Sequence, residues 1–419
     1  METLKTEIYA LGAKARQAAV RMAALSAVDK NRMLGAMAAA LRSEAPVILA
    51  ANAIDVEAAK AKSMTAAFVD RLTLTADRLE AMAKGLEDLV GLKDPVGQVL
   101  GGWKGAQDIE ITKVRVPFGV IGMIYEARPN VTADAAGICF KTGNAVILRG
   151  SGEAKASNLA VVKALRQAIR QQEGPEDAVQ LLEDTSREAA LEFMRMNRYL
   201  DLLIPRGGAG LIQTVVREAT VPVIETGIGN CHIYVDAAAD QQMALDILLN
   251  AKTQRIGVCN AAESLLVHRQ AAAQFLPLAG AALAAKGVEM RACPESRSYL
   301  PQSSAATEED YGAEFLDMII SIKVVESLDE AIEHINTYGT RHSEAIITKD
   351  YDAARQFTAR IDAAVVLVNA STRFTDGGMF GFGAEIGIST QKLHARGPMG
   401  LEEMTTIKYI VQGDGQVRK

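Results

Sequence analysis

The sequence has few cysteines, few aromatic side chains and no long apolar run. Its 419 residues include 4 Cys and 5 His, and aromatic residues make up 5% of them. Four cysteines in so long a chain do not form a disulfide framework, which indicates reduced thiols in a reducing cytoplasm. No apolar run approaches the roughly 18 residues of a membrane span, and the charged first residues lack the apolar core of a signal peptide. We therefore expect a cytoplasmic protein that does not enter a membrane.

An excess of basic charge is also missing. The 45 Lys and Arg face 51 Asp and Glu, which gives a net charge of −6. Nucleic-acid-binding proteins usually carry an overall basic charge or a basic patch, so no nucleic acid is expected as a partner. The histidines are scattered and no pair has the spacing of a helical zinc site, so no metal is expected either.

Hydrophobic patterns predict an α/β protein with more than one domain. The first hundred residues have helical periodicity, with Ser26 and Asp29 placed as in a capping box. After them, strand patterns alternate with helical patterns, which predicts two mostly parallel sheets covered by helices, and a site in the cleft between two domains. The predicted strands are 120–125, 145–148, 179–182, 200–204, 221–224 and 233–235 in a first series, and 262–267, 288–291, 319–325, 345–348 and 364–368 in a second.

Two further segments predict strands of another kind. Residues 108–116 place apolar side chains between charged ones, with an irregularity at Thr112 and Lys113, as in an exposed or edge strand. Residues 405–412 predict a strand with polar residues on both flanks.

The common nucleotide-binding motifs are absent in their strict form. No G-x-G-x-x-G follows a predicted strand, and no P-loop is present, which argues against a nucleotide-hydrolysing enzyme. The nearest match is Gly207, Gly208 and Gly210, between the strand 200–204 and a helical pattern. Backbone N–H groups at such a turn can bind phosphate, although a glycine-rich turn alone is more often structural.

Cys259 is the cysteine whose surroundings favour chemistry. It lies between Gly257 and Asn260 in a predicted loop that follows a helix and precedes an apolar strand, a place where side chains reach a cleft. An unperturbed thiol is only about 3% thiolate at neutral pH, so a nucleophile needs a positive neighbour. Arg255 is the candidate for that neighbour.

The other cysteines fit structural roles better. Cys139 and Cys293 lie in patterns typical of small buried apolar residues. Cys231 and His232 are adjacent in a predicted strand, where neighbouring side chains point to opposite faces, so we do not expect them to form a catalytic dyad.

Two polar residues follow predicted strand ends, where open α/β sheets bind ligands. The amide of Asn130 could donate to an oxyanion, or the residue could cap the next helix. Glu225, which two glycines follow, could act as a catalytic carboxylate or could order its loop by a hydrogen bond.

Taken together, these residues resemble the aldehyde dehydrogenase superfamily. The resemblance rests on Glu225-Thr226-Gly227, then Cys259, then a Val-Asn-Ala segment and a Phe-Gly-Phe-Gly turn. The stretches 116–132, 255–268 and 381–411 extend it over essentially the whole chain, towards the members that reduce L-glutamyl 5-phosphate with NADPH to L-glutamate 5-semialdehyde and phosphate, the second step of proline biosynthesis from glutamate.

The resemblance implies a fold and a division of the chain. The implied fold is α/β and aldehyde-dehydrogenase-like, with two doubly wound, mostly parallel α/β domains and a small β oligomerisation hairpin. Residues 1–105 and 120–228 are assigned to the NADPH-binding domain and 229–395 to the catalytic domain. Residues 106–119 and 396–419 are assigned to oligomerisation strands.

The resemblance also implies three catalytic roles. Cys259 matches the nucleophile, whose thiolate attacks the acyl phosphate, expels phosphate and leaves a thioester that hydride from NADPH reduces. Asn130 matches the amide of the oxyanion hole, which works with the Cys259 backbone N–H. Glu225 matches the carboxylate that activates water in hydrolytic members; in the reductive direction it could instead handle the thiol proton or be structural.

Binding residues follow from the same resemblance. For the NADPH/NADP cofactor they are Arg149, Ser151, Glu153, Gly207, Gly208 and Glu314. Arginine suits a 2′-phosphate, and the basic residues are candidates for the substrate's anionic groups. These substrate-binding candidates are Arg128, Arg255, Arg373, Lys392, His394 and Arg396.

Partners are predicted from the resemblance as well. Pairing of the strands 108–116 and 405–412 across subunits would cover exposed edges, so a homo-oligomer is expected. Association with a glutamate 5-kinase is a further hypothesis, because acyl phosphates are labile.

Two alternatives remain open from the sequence. A hydrolytic aldehyde dehydrogenase on the same fold would form the acid without phosphate and would depend fully on Glu225. A catalytically silent binding or structural protein would be favoured if the nucleophile position were altered, and Cys259 is present.

Overall fold

Helices make up most of the first hundred residues, as the periodicity predicts, and strands alternate with helices after them. The computed structural model describes residues 2–418. Its α-helices are α1 (Glu2–Met22), α2 (Ala27–Ser43), α3 (Ala45–Ala61), α4 (Ala66–Leu72), α5 (Ala76–Gly91), α6 (Pro129–Lys141), α7 (Lys155–Gln171), α8 (Arg187–Met194), α9 (Ala209–Glu218), α10 (Gln241–Thr253), α11 (Arg269–Ala285), α12 (Pro294–Arg297), α13 (Glu308–Tyr311), α14 (Leu328–Tyr338) and α15 (Tyr351–Arg360).

The strands of the same residues follow the predicted series closely. They are β1 (Val99–Lys104), β2 (Glu110–Pro117), β3 (Val120–Tyr125), β4 (Ala145–Arg149), β5 (Val179–Leu181), β6 (Leu202–Arg206), β7 (Cys231–Val235), β8 (Ala262–His268), β9 (Glu289–Ala292), β10 (Ser304–Ala305), β11 (Ile319–Val325), β12 (Ser343–Ile347), β13 (Val365–Val368), β14 (Gly387–Ser389), β15 (Gly397–Met399) and β16 (Thr405–Gln412).

The chain divides into two units. Unit 1 runs up to Glu225 and also takes in Phe382–Gly387 and the chain from Met399 onward. Unit 2 consists of Thr226–Gly381 and Ile388–Pro398. The assignment of cofactor binding and catalysis to separate domains stays a prediction, because this division concerns packing alone.

Unit 1 contains a parallel sheet in the order β5-β4-β3-β6. Every residue of β3 is buried, which is typical of a strand covered on both faces. Helix α2 begins as predicted, because the Ser26 hydroxyl accepts a hydrogen bond from the Asp29 N–H at 3.1 Å. The predicted strand 221–224 is wrong as a full strand, since only an isolated parallel bridge joins Val223 to Leu203.

A second sheet of unit 1 is antiparallel, in the order β1-β2-β16. The prediction of an exposed or edge strand at 108–116 is wrong, because β2 is central and pairs with β16 along its whole length. The irregularity lies in β1, between Val99 and Gly101, and not at Thr112. Strand β1 was not predicted, since its Gly101-Gly102 pair is unfavourable in a strand interior.

Unit 2 contains a parallel sheet of seven strands in the order β10-β9-β11-β8-β7-β12-β13. The strand patterns of the second predicted series all lie in it. The predicted strand 233–235 belongs here as well, because β7 pairs with β8 and β12. Strands β14 and β15 pair with each other as a separate small sheet.

Among residues 2–418, no single helix is both long and apolar enough to cross a membrane. Helices α2 and α3, which meet at a bend of 65°, satisfy the requirements of length and composition only when they are taken together.

The buried sheet of unit 1 makes a prediction for stability. Val146 in β4 is 0% exposed, whereas Val216 in α9 is 46% exposed. We expect Val146→Ala to lower the free energy of unfolding by about 2 kcal/mol, because two methyl groups leave a packed core, and Val216→Ala to change it by less than about 0.5 kcal/mol. Chemical denaturation of both variants measures this, and equal effects would contradict the described burial.

Candidate active site

The loop between α10 and β8 carries Cys259, as the sequence predicts. Cys259 is partly exposed, whereas Cys139, Cys231 and Cys293 are buried, and no disulfide joins cysteines within residues 2–418. The backbone of Gly229 packs directly against this loop: a Cβ atom at that position would overlap the carbonyl group of Cys259. Glycine is therefore required at 229, because any side chain would displace the main chain of Cys259.

The buried side chain of Cys231 is hydrogen-bonded to the loop that carries Cys259. Its thiol donates a hydrogen bond to the Cys259 carbonyl oxygen at 3.1 Å and lies 3.7 Å from His342 Nδ1. Burial raises the pKa of the Cys231 thiol, which keeps the donor protonated. As expected, His232 is directed elsewhere, since its Nδ1 lies 3.0 Å from Glu344 Oε2. The contact with His342 was not predicted, because 111 residues separate the two side chains along the chain.

Hydrogen bonds also tie the loop to the segment 371–375. Asn260 Nδ2 donates to the Thr375 carbonyl at 2.8 Å, and Thr372 Oγ1 donates to the Asn260 carbonyl at 2.7 Å. Arg373 Nε donates to Gln254 Oε1 at 2.8 Å, at the beginning of the same loop. These contacts bring Arg373 to the loop that carries Cys259, although the two segments are distant in sequence.

The two predicted arginines of this region create a positive environment. Burial lowers the pKa of the Arg373 guanidinium and nearby Arg255 lowers it further, while Asp376, Cys259 and Cys231 act in the opposite direction. A guanidinium stays charged at neutral pH even so, because its ordinary pKa exceeds 12. Positive charge of this kind favours a thiolate and attracts an anionic substrate.

Glu314 contacts the backbone of Gly229, which packs against the Cys259 loop. Its Oε1 accepts a hydrogen bond from the Gly229 N–H at 2.7 Å, and burial raises the pKa of its carboxyl group. One oxygen of the Glu314 carboxylate therefore already accepts a hydrogen bond from the protein itself. Its assignment to the nicotinamide ribose stays a prediction.

The remaining basic candidates of unit 2 gather around Asp362. Lys392 Nζ lies 2.8 Å from Asp362 Oδ2, and Arg396 NH2 donates to Asp362 Oδ1 at 2.9 Å. These partners hold the pKa of the Asp362 carboxyl below its usual range. His394 lies between them with a left-handed backbone (φ 61°). Asp362 offsets part of their charge, so a role of these residues in substrate binding stays a prediction.

In unit 1, the ends of β3 and β4 border a cavity of about 240 Å³. Ser151 and Glu153, which were predicted to bind cofactor, line it, and so does Arg128. The buried Ser151 hydroxyl has no hydrogen-bond partner among the described residues. Glu126 and Ala127, which follow β3, and Phe68 and Arg71 from α4 also line it. The sequence did not single out Phe68 and Arg71, because nothing in a helical pattern marks them.

Arg149 has a structural task in this region. Its NH2 donates to the Thr185 carbonyl at 2.8 Å, and burial lowers the pKa of its guanidinium. The Nε atom is buried without a partner in the described part of the chain. Its predicted contact with a 2′-phosphate is not shown by these hydrogen bonds and stays a prediction.

The glycine turn before α9 is occupied by a carboxylate. Glu126 Oε1 accepts a hydrogen bond from the Gly208 N–H at 2.8 Å. A Cβ at Gly207 would lie 2.7 Å from the Glu126 carboxyl group, so a side chain there would displace this carboxylate. The sequence missed Glu126, because its partner lies 82 residues further along the chain.

Asn130 lies in the first turn of α6, exposed and next to Pro129. The interpretation as a helix cap is wrong, because Arg128 holds the N-cap position. Asn130 Nδ2 donates to Asp134 Oδ2 at 3.0 Å, and an amide nitrogen carries a second hydrogen. Glu225 is the last residue of unit 1 before the chain enters unit 2, and it is partly exposed. The catalytic roles of Asn130 and Glu225 stay predictions.

Comparison with known proteins shows the family. The sequence model described as "Aldehyde dehydrogenase family" matches residues 2–295 and 300–410. The chain is 60% identical over 413 residues to γ-glutamyl phosphate reductase of Heliobacterium modesticaldum, with 99% of both proteins covered. It is 58% identical to that of Moorella thermoacetica, again with 99% of both covered.

A solved structure agrees with these matches. The crystal structure of γ-glutamyl phosphate reductase from Thermotoga maritima superposes with a TM-score of 0.97 at 50% identity, and the match covers 99% of this chain and 100% of that one. The predicted resemblance, the aldehyde-dehydrogenase-like α/β fold and the oxidoreductase class are confirmed. The chain is therefore an oxidoreductase of the aldehyde dehydrogenase family, and within that family it belongs to the γ-glutamyl phosphate reductases.

Proposed function

We propose that this protein reduces L-glutamyl 5-phosphate to L-glutamate 5-semialdehyde and phosphate with NADPH, in the second step of proline biosynthesis, in the cytoplasm. The names of its full-length relatives support the substrate. The observation that carries the proposal is the hydrogen bond from Arg373 Nε to Gln254 Oε1, which holds a guanidinium at the loop that carries Arg255 and the partly exposed Cys259. An acyl phosphate brings negative charge to the nucleophile, and this environment favours both the thiolate and the anion.

The proposed reaction begins at Cys259 Sγ. The thiolate bonds to the acyl carbon, the bond between that carbon and the phosphate oxygen breaks, and phosphate leaves with the electron pair. The product is a thioester on Cys259, which accepts hydride more readily than a carboxylate does. Arg255 and Arg373 are the proposed ligands of the departing phosphate, since arginine binds phosphate oxygens in pairs.

Two donors are proposed for the acyl oxygen. The Asn130 amide and the Cys259 backbone N–H would hold the negative charge that develops there, and preorganised donors of this kind are often the largest catalytic contribution. The Glu314 hydrogen bond to Gly229 fixes the backbone next to Cys259 and so helps to orient that N–H. Glu225 has no necessary step in reduction, because activation of water would destroy the thioester.

The described residues fit a dinucleotide in part. The unpartnered Ser151 hydroxyl and Glu153 line the cavity of unit 1 together with two arginines, which suits a ribose and a phosphate. Arg149, Ser151 and Glu153 are proposed to hold the adenosine half, Gly207 and Gly208 the diphosphate, and Glu314 the nicotinamide ribose. When bound, NADPH supplies the hydride for the thioester.

The Glu126 carboxylate occupies a backbone N–H group that the proposed cofactor site needs. This carboxylate accepts the Gly208 N–H that we assign to the diphosphate. Two anions cannot share that donor at low cost, so the Glu126 side chain must turn away when the cofactor binds.

A homo-oligomer is proposed through the sheet β1-β2-β16. Within residues 2–418, β1 and β16 each pair on one side only, and the rings of Trp103 and Tyr409 lie 6.1 Å apart and are 49% and 54% exposed on one face of the sheet. Unpaired strand edges and exposed apolar side chains of this kind are usually covered by a partner. Association with a glutamate 5-kinase stays a hypothesis; absence of co-elution and of a kinetic transit advantage would exclude it.

The reverse reaction tests the proposed function. We expect reduction of NADP⁺ by L-glutamate 5-semialdehyde to require inorganic phosphate, because phosphate resolves the thioester. Cys259→Ala should lower the rate at least about 10⁴-fold, while the buried control Cys139→Ala keeps most of it. Turnover without phosphate would instead mean that water resolves the thioester, which is the behaviour of a hydrolytic aldehyde dehydrogenase that depends on Glu225.

The role of Arg373 is tested separately. Arg373→Met should raise the KM for phosphate in the reverse reaction about tenfold to a hundredfold, as expected for the loss of a charged hydrogen bond. It should also move the pH dependence of Cys259 alkylation to higher pH, because a lost positive charge disfavours the thiolate. Arg360→Met removes an arginine of α15 that pairs with Asp329 of α14, and it serves as the control. Equal effects of the two substitutions would exclude a specific role for Arg373.

NADPH binding by a Glu126 variant tests whether this carboxylate competes with the cofactor. Glu126→Gln keeps an acceptor for the Gly208 N–H but removes the negative charge, so NADPH should bind about threefold to tenfold more tightly. Fluorescence titration of NADPH measures the dissociation constant, with Glu218→Gln at the other end of α9 as the control. Weaker binding in Glu126→Gln would show that the carboxylate holds the cofactor and does not compete with it.

A further inference from the structure

A buried ion pair closes the base of the nucleophile's loop. Lys252 is in the last turn of α10 and Glu263 is the second residue of β8, so the two residues flank the loop on either side. Lys252 Nζ and Glu263 Oε2 lie 2.5 Å apart, and both side chains are 0% exposed. The side chains therefore join the two ends of the segment that contains Cys259.

The second oxygen of Glu263 extends this contact to another segment. Glu263 Oε1 accepts a hydrogen bond from the Leu316 N–H at 3.1 Å. Leu316 is two residues from Glu314, whose carboxylate accepts from Gly229, and Gly229 packs against the Cys259 carbonyl. Contacts thus connect the Lys252–Glu263 pair, through the segment 314–316 and Gly229, to the carbonyl group of Cys259.

The buried ion pair is not expected to add much to the free energy of unfolding. Burial is the largest influence on both groups: it lowers the pKa of Lys252 and raises that of Glu263 to about 7, and each partner opposes the effect on the other. Removing two charges from water can cost as much as their attraction returns, and an apolar pair of the same size is often as stable. A buried pair of this kind is therefore better explained by the geometry it fixes.

We propose that Lys252 and Glu263 are positioning residues, which set the conformation of the Cys259 loop and link it to the segment that carries Glu314. This inference rests on the proposed function only in taking Cys259 as the nucleophile. Neither residue touches substrate in the proposal; both act through the loop. The competing explanation is that the two charges merely neutralise each other inside unit 2.

Substitutions separate the two explanations. Lys252→Met or Glu263→Gln alone leaves an unpaired partner in the interior, so each should lower the melting temperature, and either variant can fail to fold. The double variant Lys252→Met/Glu263→Gln removes both charges and keeps an acceptor for the Leu316 N–H. Its melting temperature should return close to that of the native protein. Lys30→Met breaks another buried pair, with Asp94 at 2.6 Å in unit 1, and is the matched control.

The readout is the reactivity of Cys259 in the double variant. We expect kcat of the reductase reaction to fall about tenfold to a hundredfold with a smaller change in KM, because a displacement of about 1 Å at a nucleophile has effects of this size. The pH profile of iodoacetamide alkylation at Cys259, followed by peptide mass spectrometry, should also shift. Lys30→Met should lower the melting temperature and leave that profile unchanged.

The outcomes are distinct. A double variant with native kcat and a native alkylation profile would overturn the proposal and leave charge neutralisation as the role of the pair. A shifted profile in the double variant, with the control unchanged, supports the proposal. Alkylation needs no substrate, so an inactive native protein would contradict the proposed function without affecting this result.

Discussion

In the mechanism that we propose, the position of one carbonyl group governs the chemistry at Cys259. The Cys259 carbonyl accepts a hydrogen bond from the buried Cys231 thiol and packs against Gly229, where no side chain fits. A main chain held from two directions leaves little freedom to the loop at this residue. The hydrogen bonds of Asn260 to the segment 371–375 extend this constraint to the loop that carries Arg373.

The same hydrogen-bond network also fixes the position of the positive charge of Arg373. Because Arg373 is held by Gln254 at the beginning of the loop, its charge stays near that loop in spite of the burial that lowers its pKa. Exposed arginines that move freely would give a weaker and more variable field. In the proposed mechanism, one hydrogen-bond network holds both Cys259 and Arg373, so a displaced loop would weaken both thiolate formation and phosphate binding.

The parts that sequence could predict have short-range or family-wide signals. Buried strands such as β3, the beginning of helix α2 and the loop position of Cys259 follow from local patterns, and the resemblance supplied the family. The rest depends on contacts that no local pattern records: Cys231 with His342, or Glu126 with Gly208. Strand β1 was not predicted, because its two adjacent glycines weaken the strand pattern. Strand β2 was predicted at an edge, because its charged side chains resemble those of an exposed strand.

The proposed mechanism requires that Cys259 becomes acylated and that phosphate releases the acyl group. Peptide mass spectrometry after mixing the protein with L-glutamate 5-semialdehyde and NADP⁺ in the absence of phosphate tests both steps. We expect a glutamyl adduct on the peptide that contains Cys259, and its disappearance when phosphate is added. An adduct on another residue, or rapid NADPH formation with no adduct at Cys259, would contradict it.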